Sequence, residues 1–123
     1  MSDKIESLSD LKYINLETFR KNGNGVRTPV WFVTENDKIY VITRESTGKV
    51  KRLANNPKVN FAPCSFKGNI EGDWFSGKTV LIKGEEAEKA VKLRKKKYGF
   101  KALLAGFMSK AKGELVVYSI TLD

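Results

Sequence analysis

Asn22-Gly23-Asn24-Gly25 reverses the chain early. Asn and Gly tolerate the positive φ that tight turns need, so this tetrapeptide is a strong hairpin signal joining two antiparallel strands. The flanks agree: Tyr13 to Phe19 mixes apolar, aromatic and β-branched residues, and Val26 to Thr34 does the same. Pro29 lies inside the second run, and a proline cannot donate to a ladder, which places that strand at a sheet edge or a bulge. Lys38 to Thr43 is a third strand, with Ile39, Val41 and Thr43 on one face and Tyr40 and Ile42 on the other.

The pattern then changes. Ser46-Thr47-Gly48 opens a helix whose apolar stripe is Val50, Leu53 and Ala54, and Asn55-Asn56-Pro57 ends it. Lys58 to Ser65 and Asp73 to Lys83 read as a fourth and a fifth strand. Glu85 to Tyr98 is a helix with acids in its first turn and bases in its last, matching the macrodipole. Lys101 to Lys110 reads as a further helical piece, and Glu114 to Leu122 as a sixth strand. Ser2 to Leu11 reads as a short helix, from Ile5, Leu8 and Leu11 at three-residue spacing. Hairpins, six strands and interspersed helices predict an α+β fold: a small, mainly antiparallel six-stranded β-barrel with flanking helices, as one domain over residues 1–123.

Composition narrows the chemistry. The chain has no histidine, which removes His-based triads and His-ligated metals. Its one cysteine, Cys64, has no partner for an internal disulfide, as expected of a cytoplasmic protein. No apolar run approaches the ~18 residues of a membrane span, and the start does not read as a signal peptide.

The formal charge of +9 is concentrated in two patches. One holds Arg44, Lys49, Lys51, Arg52 and Lys58 against Glu45; the other holds Lys92, Arg94, Lys95, Lys96, Lys97 and Lys101 with no acid. The first coincides with a helix start, where unpaired N–H groups and a partial positive charge favour an anion. Lys49 and Arg52 are three apart and share a helical face, so a phosphate there would meet backbone, hydroxyl and cationic donors together. An ordinary solvated basic face accounts equally well for these residues. The second patch reads as the solvated end of a helix, with nucleic-acid contact or the rim of a site for an acidic ligand as alternatives. Thr28-Pro29-Val30-Trp31-Phe32 could face a flat ring system with its main-chain groups, but these residues by themselves favour an edge strand packing its aromatics in the core.

In their order and spacing these segments resemble the pyridoxamine 5'-phosphate oxidase-like split β-barrel family of flavin and deazaflavin binders. The resemblance is carried by Tyr13 to Gly23, Thr28 to Phe32, Tyr40 to Thr43, Gly48 to Leu53, Asn56 to Val59 and Ala62 to Cys64. It implies a homodimer with the cofactor, FMN or the deazaflavin coenzyme F420, in a groove between subunits. It implies that Lys49, with Ser46, Arg52 and Thr43, holds the cofactor phosphate. Pro29, Val30 and Trp31 would line the tricyclic ring, with Thr18 on the paired strand nearby and Trp74 approaching from the second subunit. The implied activity is hydride transfer between bound cofactor and a small-molecule substrate, with the chemistry residing in the cofactor. The alternatives are a basic nucleic-acid-binding β-barrel and a cofactor carrier without turnover.

Overall fold

The computed structural model describes residues 5–99 and 114–123. Its single sheet has seven antiparallel strands: β1 Ile14–Phe19, β2 Gly25–Val30, β3 Val33–Glu35, β4 Lys38–Arg44, β5 Lys58–Pro63, β6 Phe75–Ile82 and β7 Leu115–Leu122. Helix α1, Gly48–Asn55, links β4 to β5, and α2, Glu85–Tyr98, follows β6. The spatial order is β2-β1-β5-β6-β7-β4-β3. The sheet curls into the expected α+β split-barrel form.

The opening hairpin forms as its turn residues dictate. β1 and β2 pair from Ile14↔Val30 to Phe19↔Gly25. Gly23 takes φ 89°, and the Asn22 side chain accepts from the Asn24 amide at 2.9 Å. Pro29 lies on β2, an edge strand, where its missing donor costs no ladder bond.

The strand expected from Val26 to Thr34 is two strands, which raises the count from six to seven. At Trp31-Phe32 the chain leaves the edge beside β1 and crosses to β4, so two residues join opposite ends of the strand order. Off the ladders, the Phe32 backbone needs other partners. The Tyr98 hydroxyl supplies them: it accepts from the Phe32 amide at 3.1 Å and donates toward the carbonyls of Phe32 at 3.0 Å and Lys12 at 2.8 Å. The last residue of α2 thus closes the seam of the barrel.

Two apolar layers follow from strand alternation. Ile14, Leu16, Phe32, Ile39, Val59, Phe61 and Ile120 fill the interior. Leu53 of α1 packs into it, as do Ile5 and Leu8 of the leading segment. Among the described residues that segment is helical at Ile5–Glu6 and continues in turns through Asp10, and Leu11 is exposed; the start of the expected helix, residues 2–4, lies outside the described residues. Outside the barrel, α2 covers Val33, Tyr40 and Val117 with Ala90 and Tyr98. The helical piece expected at Lys101 to Lys110 lies outside the described residues. Among the described residues no helix is long and apolar enough to cross a membrane.

Candidate functional site

The chain turns from β4 into α1 through Glu45 to Thr47, and this turn gathers most of the expected phosphate contacts. Thr43 is near the end of β4, and its hydroxyl lies 3.4 Å from that of Thr47. Thr47 occupies the N-cap position but makes no side-chain cap bond, so no capping side chain there takes up the first amides of α1. Ser46 is exposed, and Lys49, in the first turn, is half-buried.

Arg52 sits one turn further along α1 and reaches back to the barrel. Its Nε donates to the Thr18 hydroxyl at 2.6 Å. Thr18 is fully buried on β1, so the guanidinium is fixed at the barrel mouth. Gly48 leaves it room, since a Cβ there would stand 2.8 Å from an Arg52 guanidinium nitrogen. Burial, and then the nearby Arg20 cation, hold Arg52 below its ordinary pKa. Two cations near one another close to a helix start favour an anion between them.

Sequence reasoning missed Arg20. The signal was there: Thr18 and Arg20 are two apart at the end of β1, and alternation puts them on one face. Thr18, Thr43, Ser46, Lys49 and Arg52 therefore gather around one turn, with Arg20 added.

The expected ring-lining residues lie along β2 and the seam. Pro29 is exposed; the Val30 side chain packs on the interior cluster and the residue pairs with Ile14 of β1. Trp31 stacks on Tyr98, centroids 4.3 Å apart and planes 7° from parallel. Trp74 lies within the same chain over the Arg27 guanidinium, 4.5 Å from centroid to carbon. Arg27 is held by Glu17 at 3.0 Å, Glu17 accepts from Asn60 at 2.9 Å, and Ser76 donates to Asn60 at 2.8 Å. This polar row crosses four strands on the outer face, and the Asn60 hydrogen bond is the main cause holding the Glu17 carboxyl below its ordinary range.

The basic run on α2 is not simply a solvated helix end. Lys92, Lys95 and Lys96 point to solvent, whereas Arg94 and Lys97 turn inward. The Lys97 ammonium donates to the Phe32 carbonyl at 2.9 Å and sits 3.8 Å above the Phe32 ring. Burial, with Lys12 adding to it, lowers its pKa to about 8.

Two cavities are lined by other residues. One of about 380 Å³ lies between α2 and the β3–β4 hairpin, where Glu86 accepts from Tyr40 at 2.6 Å and from Lys38 at 3.3 Å. Another of about 600 Å³ lies at the barrel end away from α1, between Ile5, Asp37, Trp74 and Leu122. Among the described residues no group of three or more His, Cys, Asp or Glu is placed to hold a metal ion. Cys64 is buried, and burial pushes its thiol up, as in an inert structural cysteine.

Comparison with known proteins agrees with this fold. No curated protein matches the sequence. A candidate 5-nitroimidazole antibiotic resistance protein from Bacteroides thetaiotaomicron superposes with a TM-score of 0.72 at 18% identity, over 100% of this chain and 80% of that one. A conserved hypothetical protein from Mycobacterium tuberculosis gives 0.73 at 16% identity, over 99% and 80%. HutZ, the heme storage protein from Vibrio cholerae, gives 0.73 at 11% identity, over 98% and 89%. At these identities the likeness is one of fold. The family itself is fixed by sequence, because the profile described as pyridoxamine 5'-phosphate oxidase matches residues 1–123. With its curled antiparallel sheet and its seam closed by α2, the chain belongs to the pyridoxamine 5'-phosphate oxidase family.

Proposed function

We propose that this chain binds FMN or the deazaflavin coenzyme F420 and acts as an oxidoreductase on a small-molecule substrate. The carrying observation is the Arg52 guanidinium, anchored on buried Thr18 beside Arg20 at the start of α1. The donor set fits a phosphate monoester: a fixed guanidinium, a second cation, the ammonium of Lys49, the hydroxyls of Thr43 and Ser46, and the first amides of α1. The β2 backbone at Pro29 and Val30 and the side chain of Trp31 offer an extended edge for a planar ring. Both halves lie on the surface, and a second copy of the chain would provide the missing wall, so the reading includes a homodimer with the cofactor between subunits.

When bound, the flavin or deazaflavin supplies hydride transfer. The chain's own residues bind and orient: Arg52 and Lys49 fix the phosphate, and Thr18 fixes Arg52. Some structural relatives are described as heme proteins. This chain lacks histidine, the commonest protein ligand to haem iron, and its cysteine is buried and protonated. Those two features favour the flavin over haem.

The test is titration of the purified protein with FMN and with the deazaflavin, followed by absorbance and fluorescence. Arg52→Ala and Lys49→Ala should each weaken binding roughly tenfold or more, the worth of a charge-assisted contact. Absence of binding to either cofactor at high micromolar concentration overturns the proposal. Binding without turnover by any electron donor would make the chain a carrier.

A further inference from the structure

Helix α2 buries a face made of Ala87, Ala90, Val91 and Tyr98. Arg94 is three residues beyond Val91, four beyond Ala90 and four before Tyr98, so it belongs to that same face. An arginine on the sheet-packed side of a helix requires a partner. Its Nε is buried and has no hydrogen-bond partner.

The strand beneath supplies a second cation. Tyr40 and Ile42 face α2 from β4 and pack in the outer cluster, and Arg44 is the next residue of that row. Among the described residues, the charges acting on Arg94 are Arg44, which opposes its protonation, and the Tyr98 phenol; burial opposes it more strongly than Arg44 does. Among the described residues no carboxylate contributes. A half-buried guanidinium carrying an orphaned donor is a costly arrangement.

We propose that Arg94 and Arg44 form an anion site of their own, which takes the carboxylate or phosphate of a small ligand beside the Trp31–Tyr98 stack. Arg94 comes from α2 and Arg44 from the end of β4, whereas Arg52 and Arg20 come from α1 and the end of β1. The anion site stands on Arg94 and Arg44 whatever the cofactor; that its ligand is the substrate of a flavin-dependent reaction rests on the reading above. On that reading the substrate, or the acidic tail of a deazaflavin, carries an anionic group at a fixed distance from the cofactor phosphate.

Thermal unfolding of the full chain tests this. The Arg52→Met variant is used as background, which removes the α1 contact. Inorganic phosphate and, separately, succinate are titrated into it in a zwitterionic buffer. We expect at least one of these anions to raise Tm. Adding Arg94→Met should abolish that response or shift its midpoint by about tenfold or more. An arginine held only for packing would lower Tm on substitution and leave the anion response intact, and that result overturns the proposal. If the Arg94→Met protein does not fold, Arg44→Met in the same background must weaken the response, and an unchanged response overturns the site. Because Arg52 is already absent, failure of flavin binding would leave these outcomes unaffected.

Discussion

Lys97 shows how far a side chain's environment can depart from its sequence context. Within a run of bases it reads as solvated, yet it lies over Phe32 with its pKa lowered to about 8. The unfolded chain therefore holds this proton more tightly than the folded one. Stability should rise as pH increases from about 8 toward the ordinary lysine range. Tyr98 acts in the opposite sense above that range. Burial pushes its phenol up to about 12, so the unfolded state ionises first and stability falls again. Urea midpoints measured between about pH 7 and pH 10 should therefore climb, and Lys97→Met should flatten the climb. An unchanged slope in that variant would refute the assignment. The sequence alone shows that bases wrap around α2, but packing decides which of them turn inward, so Arg94 and Lys97 were not legible there. Lys49 and Arg52 were legible, because their spacing already places them on one face of a short helix.

At the scale of elements, alternation and turn chemistry made most of the architecture readable. The β1–β2 hairpin, β4, α1, β5, β6, α2 and β7 all lie where local pattern predicts them, to within a few residues. The exception is the β2–β3 break, since Trp31-Phe32 is as strand-like as its neighbours. What breaks the strand is a partner 66 residues away, the Tyr98 hydroxyl. Tyr98→Phe should accordingly cost about 1–3 kcal/mol, the penalty for stranding buried backbone groups. It should also speed hydrogen exchange at the Phe32 amide more than elsewhere in the sheet. Close packing sets a second constraint at Gly77 of β6. A Cβ there would meet the Thr121 carbonyl oxygen at 2.5 Å and the Ile120 side chain at 3.0 Å. Gly77→Ala should lower the urea midpoint by an amount worth about 1–3 kcal/mol, with the slope unchanged.

For the whole molecule, the charge of +9 resolves into separate local environments. Among the described residues, one basic group lies at the start of α1, another is half-buried beneath α2, and Lys92, Lys95 and Lys96 are solvated. A homodimer would place the α1 site of each copy against its partner. Sedimentation at micromolar concentration should then give about 28 kDa, twice the 13.9 kDa of the chain. A monomer that still binds flavin would show that one copy suffices.

The strand order carries a consequence for how the chain reaches this form. β7, the last strand in sequence, is central and pairs with both β4 and β6. Synthesis therefore exposes two unsatisfied ladders until the final segment arrives. β4 must wait for a strand roughly seventy residues downstream, and no earlier segment of the described chain takes that place. Such non-local closure slows folding and leaves edges open to other chains. A nascent or truncated form lacking residues 115–122 should behave as a sticky half-sheet, holding its first hairpin but not its barrel.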